Sequence, residues 1–279
     1  MKQIKILSPA KINIFLEVTG KREDGYHNLI TLMCGISLYD DITVDFNVSK
    51  TFITCDSSLV PVDESNIALK AAMLFYKEFN QKNFIHIDIK KNIPVGAGLG
   101  GGSSNAASIL KSLNEYYGFP FTTEKLCDIG KLIGADVPFF IFNKPAIATG
   151  IGDELEFINI EPYHVLVIYP GYGISTADVY KKFNFALTNK EKNITNASLK
   201  KGCLKSLLHN DLESVSISVY PEIKKIKDIL IKEGSEGSLM SGSGTSVFGL
   251  FSDYDKAKKA YKFIKQNYIW QIYLAQLSI

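Results

Sequence analysis

The chain has 279 residues, with 31 Lys and Arg against 29 Asp and Glu, a formal net charge of +2 and 46% hydrophobic residues. That apolar content excludes disorder as the main state, and the length suits one large or two modest domains. The near-neutral charge argues against a dedicated nucleic-acid binder, though it leaves room for a local basic pocket.

Met1 leads directly into IKILSPAKINIFLEV, which lacks the basic, apolar and small-residue regions of a secretory leader. No apolar run approaches the ~18–20 residues of a membrane span. Cys34, Cys55, Cys127 and Cys203 form no CxxC pair, and His27, His86, His164 and His209 are scattered. Neither a disulfide framework nor a zinc signature is expected; all four thiols are expected in the core, and the expected compartment is the cytoplasm.

In chain order, KINIFLEVT, NLITLMCGISL and DITVDFNV read as strands, with SPAKIN leading into the first and REDGYHN as a turn. Ser65-Asn66 opens IALKAAMLFYKEF, whose apolar residues recur at helical spacing. FIHIDI (84–89) alternates as a half-buried strand. A glycine-rich loop at 94–102 runs into the helix SSNAASILKSLNEYYG, with serine at its entry and Gly118 at its exit. TTEKLCDIGKLIG is a further short helix, and VPFFIF and AIATG read as short buried segments.

Beyond residue 160, HVLVIYP is a strand and STADVYKKFNF a helix capped by Ser175 or Thr176. TNKEKNITN (188–196) reads as a solvated loop. Residues 198–233 read as helix in pieces, broken at Asn210-Asp211 and at Pro221. GSLMSGSGTSVFGLF is strand, glycine turn, strand; DYDKAKKAYKFIKQ is an amphipathic helix, and IWQIYLAQL a last strand. Both halves mix strands and helices without regular βαβ alternation, which favours α+β. A boundary near 155 divides the chain into 1–155 and 156–279.

The strongest local signal is Pro94-Val-Gly-Ala-Gly-Leu-Gly-Gly-Gly-Ser-Ser. Gly96, Gly98, Gly100, Gly101 and Gly102 carry no side chains to hold an anion away from backbone N–H groups, and they permit the positive φ that turns those groups inward as a nest. The helix that follows adds its unpaired N–H groups and positive dipole end. Ser103 and Ser104 can cap the helix, bind phosphate or ligate magnesium. No lysine follows the glycines as a P-loop requires. Gly96-x-Gly98-x-x-Gly101 matches a Rossmann fingerprint only formally, because no acidic ribose anchor stands about 20 residues on.

Lys11 and Asn13, two apart in extended chain, share a face opposite Ile12 and Ile14. They form either a solvated strand face or a ligand-facing pair. Asp136 lies among small and apolar residues in GADVPFF, where an ionised carboxylate needs a partner. A cap for a short helix starting at Val137-Pro138 and a catalytic carboxylate are both compatible with it.

PAKIN, PVGAGLGGGSS and MSGSGTSVFGLF, in that order across residues 8–251, resemble the three motifs of the GHMP kinase superfamily. The segment R-x-DGYH-x-L-x-T, with GADVPFF, GIGDELE and HNDLE, is similar to the branch of that superfamily that acts on a cytidyl diphosphate substrate. The resemblance implies an N-terminal domain like ribosomal protein S5 domain 2, a ferredoxin-like C-terminal domain and an active site in the cleft between them. It implies phosphorylation by ATP, with Mg2+, of the 2-hydroxyl of the substrate's methylerythritol moiety.

Further implications fall on individual residues. Pro94, Gly96, Ala97, Gly98, Leu99, Gly100, Gly101, Gly102, Ser103 and Ser104 would hold the ATP phosphates, with Ser104 a candidate magnesium contact. Asn66 and Ile67, and more weakly Lys91, would meet adenine. The third motif, Ser241 to Thr245, would be either a glycine turn against the cleft or a structural hairpin. Asp136 would be the general base or orient the acceptor hydroxyl, with Lys11 beside it stabilising charge near the transferring phosphoryl, and Asn13 would bond the acceptor chain. Cytosine would sit between Tyr26 and Tyr180 with His27 on its edge, and Thr176 would contact the diphosphate or ribose. The rivals are a mevalonate- or homoserine-type kinase, a silent ligand- or RNA-binding protein on the same fold, and a dehydrogenase. A small-molecule substrate is expected, with no nucleic acid or membrane as partner.

Overall fold

The computed structural model describes residues 3–46, 48–183 and 203–279. The loop expected at 188–196 and the start of the helical stretch expected from 198 lie outside these residues. The chain folds as two compact units. The first takes the described residues of Met1–Ala10, with Leu38–Val95 and Gly100–Asn143; the second takes Lys11–Ser37, Gly96–Leu99 and the described residues of Lys144–Ile279.

Two long strands, β1 (Gln3–Lys21) and β2 (His27–Asp45), contribute residues to both units. This corrects the reading of SPAKIN as a lead-in and of the second and third strand segments as separate. The polar residues of these two strands are buried: Ser8, Lys11, Asn13 and Asp40 all lie inside. Each is hydrogen-bonded, so the chain needs no turn to bring them to water.

In the first unit, β4 (His86–Lys90) pairs antiparallel with the end of β2, and β3 (Phe52–Cys55) runs parallel to β4. Four helices complete it: α1 (Ile67–Phe79), α2 (Gly101–Tyr116), α3 (Thr123–Lys131) and α4 (Val137–Phe142). α2 packs against each of the other three. The Asn66 side chain caps α1 by accepting from Ala68 N and Leu69 N, and Thr122 caps α3 by accepting from Lys125 N. The run VPFFIF, too short for its apolar pattern to show a period, is helical, with a proline in its first turn and Phe139 and Phe140 buried.

In the second unit, β5 (Ala146–Thr149) lies between β2 and β6 (Glu154–Phe157), and β8 (His209–Asn210) runs parallel to β1. A separate antiparallel sheet has the order β11-β7-β10-β9, from β7 (His164–Tyr169), β9 (Gly237–Met240), β10 (Val247–Phe251) and β11 (Gln271–Gln276). Of the helices, α5 (Thr176–Lys182), α6 (Leu204–Leu207) and α7 (Glu213–Val219) are short. The longer α8 (Glu222–Lys232) and α9 (Tyr254–Asn267) pack on that sheet.

The first and last strands of this second sheet are adjacent at one side, and the two crossovers carry the long helices, which is the ferredoxin-like pattern. Ile223, Ile226 and Leu230 of α8 and Ala257, Ala260 and Ile264 of α9 bury the helical stripe the sequence shows, against Leu166, Ile168, Val247 and Phe251. The breaks expected at Asn210-Asp211 and Pro221 fall at β8 and at the N-cap of α8. The architecture is α+β.

The expectation for the cysteines needs correction. Cys34 and Cys127 are buried, but Cys55 is half-buried and Cys203, at the surface N-cap position of α6, is exposed. Burial pushes the Cys34 thiol up and that of Cys127 up to about 11. Among the described residues, no helix is long and apolar enough to cross a membrane.

Candidate active site

The glycine loop has the alternating backbone that a nest requires: Gly96, Gly98 and Gly100 have φ of +66°, +77° and +70°. At Gly98 glycine is obligatory for a second reason, since a Cβ there would lie 2.1 Å from the Ser241 carbonyl oxygen. The helix α2 begins at Gly101, earlier than the serine cap anticipated. Its N-cap is Gly100, in a left-handed conformation and without any side-chain capping bond. The first-turn N–H groups of α2 are therefore not taken by a cap, which is the arrangement that accepts an anion.

The two serines differ. Ser104 is fully buried, with its hydroxyl 2.7 Å from that of Ser8. Ser103 is half-buried, and its hydroxyl lies 3.7 Å from where a Cβ on Gly134 would sit. Ile67 covers the same turn, its Cδ1 3.1 Å from a Cβ built on Gly102. Asn66 spends its side chain on the α1 cap and on the Pro61 carbonyl, to which its Nδ2 donates at 2.7 Å.

Within the second unit the three motifs are joined by hydrogen bonds. The Lys11 backbone N–H donates to Leu99 O at 3.0 Å, and its Nζ donates to Asn13 Oδ1 at 2.6 Å. Asn13 Nδ2 donates to Thr31 Oγ1 at 2.8 Å, while the Asn13 N–H donates to Ser241 Oγ at 3.3 Å. The Ser241 hydroxyl donates in turn to Gly98 O at 2.9 Å. The strand residues, the glycine loop and the third motif are thus fixed by one serine. Lys11 and Asn13 form a buried pair rather than a solvated face.

Asn210, which sequence reasoning left without a role, holds the third motif from its other side. Its Nδ2 donates to Met240 O at 2.8 Å and to Gly242 O at 2.7 Å, and its Oδ1 accepts from Leu212 N. Asp211 beside it accepts from the Val18 N–H at 2.8 Å and from the His209 ring. The signal available was the polar HND run between apolar segments, but nothing in it points to a partner thirty residues away.

The REDGY segment is the turn between β1 and β2, closed by Arg22 N donating to Tyr26 O at 2.9 Å. Tyr26 is 61% exposed. The ring that stacks on Tyr180 is His27, with centroids 4.9 Å apart and 24° between planes. Desolvation, helped by the charge of Lys21, holds the His27 pKa below its ordinary value, so the ring is neutral near pH 7. Thr176 pairs its hydroxyl with that of Ser243 at 2.8 Å, tying the start of α5 to the third motif.

In the first unit, Asp136 is half-buried at the N-cap position of α4, yet its side chain makes no capping bond. The structural alternative raised by the sequence is therefore not how this carboxylate is used. Among the described residues, no group of three or more His, Cys, Asp or Glu is arranged to hold a metal.

The family model for the GHMP kinases N terminal domain matches residues 66–144, and that for the GHMP kinases C terminal matches residues 195–269. Fold, motif geometry and both models define a GHMP kinase. The chain is 42% identical over 275 residues to the 4-diphosphocytidyl-2-C-methyl-D-erythritol kinase of Syntrophus aciditrophicus (strain SB), covering 97% of this chain and 98% of that one. It is 44% identical over 274 residues to the enzyme of the same name from Geobacter sp. (strain M21), covering 97% of each. A crystal structure of a 4-(cytidine 5'-diphospho)-2C-methyl-D-erythritol kinase superposes with a TM-score of 0.85 at 31% identity, covering 99% of this chain and all of that one. The chain belongs to the family of 4-diphosphocytidyl-2-C-methyl-D-erythritol kinases.

Proposed function

We propose that this protein transfers the terminal phosphoryl group of ATP to the 2-hydroxyl of 4-diphosphocytidyl-2-C-methyl-D-erythritol. The observation that carries this is the near-full-length identity to enzymes of that name. The hydrogen-bonded seam of Lys11, Asn13, Leu99, Gly98 and Ser241 agrees with it, because it joins all three kinase motifs.

Phosphoryl transfer passes through a loose transition state, so positioning and charge stabilisation carry most of the barrier reduction. Asp136 orients the acceptor hydroxyl and receives its proton. Lys11 stabilises charge on the transferring phosphoryl, and Asn13 holds Lys11 through its Oδ1 and bonds the acceptor chain. The backbone from Pro94 through Ala97 and Leu99 to Ser103 holds the ATP phosphates, and Ile67 supplies apolar surface for adenine. Cytosine sits between Tyr26 and Tyr180, with His27, which stacks on Tyr180, reading its edge as a neutral imidazole and Thr176 at the diphosphate or ribose.

Magnesium, when bound, neutralises phosphate charge. Ser104 is the chain's candidate ligand, and its fully buried hydroxyl would have to leave its pairing with Ser8 to reach the ion. In this reading residues 1–155 carry the nucleotide-binding motifs and 156–279 the second domain, a division along the sequence that the two compact units cross, since Lys11–Ser37 and Gly96–Leu99 pack with the second unit, and the protein works in the cytoplasm. The test is a phosphoryl-transfer assay with ATP and the cytidyl substrate, mevalonate or homoserine as acceptor. Turnover with the cytidyl substrate alone is expected. Preference for either other acceptor, or ATP hydrolysis indifferent to all three, overturns the reading.

A further inference from the structure

The run HNDLE, His209 to Glu213, takes no part in the reaction scheme, yet it bonds two separate parts of the second unit. On one side it meets β1. The pairing of β8 with β1 is short, Phe15 with His209 and Leu16 with Asn210. Asp211 carries it further. Its N–H donates to Leu16 O at 3.0 Å, and its Oδ2 accepts the Val18 N–H at 2.8 Å, doing for Val18 what the carbonyl of a longer strand would do. Val18 is buried, so its N–H needs a protein partner. The His209 ring, stacked at a tilt 5.5 Å from that of Phe15, holds the other carboxylate oxygen at 2.8 Å. The Asp211 side chain is 8% exposed, so water does not compete for these bonds.

On the other side the run grips the third motif. Asn210 donates to Met240 O and Gly242 O, while Glu213 Oε2 accepts the Met240 N–H at 2.8 Å and its Oε1 pairs with Lys227 of α8. Leu212, between the two grips, is buried in one cluster with Leu16, Val18 and Met240.

We propose that HNDLE is a two-armed bracket serving both sides of the phosphoryl transfer, and that Asp211 is a positioning residue for recognition of the cytidyl group. The inference rests on the reading of Tyr26, His27 and Tyr180 as the cytosine site. Beyond Val18, β1 runs only to Lys21 before the turn that carries Tyr26 and delivers His27 to β2. Gly20 lies in that stretch and stiffens it least, so the placement of the turn has to be fixed upstream. The carboxylate on Val18 does this, setting where His27 stands against Tyr180. The Asn210 and Glu213 arm acts instead on the third motif, whose Ser241 holds the glycine loop, and so belongs to the donor side. The arms differ in kinetic signature: loss of acceptor binding raises KM, whereas loss of phosphoryl positioning lowers kcat.

The test is steady-state kinetics with ATP and the cytidyl substrate, and Tm, for full-length wild type, Asp211→Ala, Asp211→Asn and Glu213→Ala. Asp211→Ala should raise KM for the cytidyl substrate at least ~10-fold and leave KM for ATP within ~2-fold. Asp211→Asn should recover the cytidyl KM to within ~3-fold of wild type, because a carboxamide keeps an acceptor for Val18 and can donate to the His209 ring. Glu213→Ala strips Met240 N of its acceptor and should lower kcat at least ~10-fold with the cytidyl KM within ~3-fold. If Asp211→Ala fails to fold, Asp211→Glu carries the test: it keeps the charge, but its longer side chain cannot hold Val18 and His209 in the same geometry, and the same selective rise is expected.

Equal rises in both KM values, or an unchanged cytidyl KM in the folded Asp211 variant, would overturn the proposal. So would failure of Asp211→Asn to recover the cytidyl KM, or one shared kinetic signature for the Asp211 and Glu213 variants, either of which reduces the run to a structural brace. A wild type that turns over no cytidyl substrate would instead remove the functional reading on which the proposal stands.

Discussion

At the scale of single residues, burial and bonding separate side chains that the sequence presents as equals. Asp136 declines the capping role its position offers, since its side chain makes no capping bond at the start of α4. Asp136→Asn is therefore expected to leave ATP affinity near wild type while cutting turnover at least ~100-fold, in the range for a general base or orienting group. Steady-state kinetics with both substrates checks it, and near-normal turnover would remove Asp136 from the chemistry. His27 gives a pH signature. Its pKa lies below the ordinary 6.5. The unfolded chain thus takes up this proton at higher pH than the folded one, so the stabilising contribution of the neutral ring is full above about 6.5 and is lost as pH falls toward the folded value. Protonation also removes the ring's acceptor nitrogen. KM for the cytidyl substrate should rise as the pH falls through the lowered His27 pKa, with KM for ATP flat; parallel changes in both would count against His27 as the base-reading group.

Elements show why two motifs far apart in sequence behave as one. The third motif reaches the glycine loop through a serine and through backbone approach so close that Gly98 has no room for a Cβ. Gly98→Ala should cost about 1–2 kcal/mol from the left-handed backbone alone, with more from displacement of Ser241. Activity should fall more steeply than Tm, as seen when both are measured on one preparation. Asn210 offers a complementary comparison. Asn210→Ala strips Met240 O and Gly242 O of a buried donor, a loss of about 1–3 kcal/mol. Asn114 clamps backbone in a similar way, bonding both N and O of Phe121 at 3.0 Å, away from the motifs. Asn114→Ala should lose comparable stability with kcat intact, whereas Asn210→Ala should lose kcat as well. Equal kinetic effects would show that the third motif needs no clamp.

For the molecule as a whole, the expectation concerns action in common. If Lys11 and Asp136 serve one chemical step, their losses are non-additive, as for groups that act as a unit. Turnover of the Lys11→Ala, Asp136→Asn double variant should lie within about tenfold of the worse single variant. Full multiplicativity of the two defects would assign them to separate tasks. Binding should also report at this scale: ATP at 100 times its Kd should add about 2.7 kcal/mol to the stability of the native state and raise Tm accordingly.

The sequence by itself determined the helices with caps and periodic stripes. Asn66 starts α1 where the spacing says it should, and the stripes of α8 and α9 lie on their sheet, because capping and amphipathicity are local and need no knowledge of partners. It also determined the strand–turn–strand of the third motif and the membership of the family, since the motifs are contiguous runs. It misjudged the lengths of β1 and β2, where Ser8 read as part of a lead-in and Asp40 fell between two separate strands, and it left Lys11 and Asn13 open between a solvated and a ligand-facing strand face. Only tertiary structure shows that each has a buried partner, and a buried polar group is tolerable only when it is paired. The same reason hid Asp40 and Asn210, and it decided that Ser104 turns toward Ser8 and that Gly100 rather than a serine begins α2. Asp40 meets its partners 51 to 65 positions away, Asn210 meets the third motif 30 and 32 positions on, and Ser104 meets Ser8 across 96. Local pattern records what a residue is; which group answers it across the fold is settled only when the chain closes on itself.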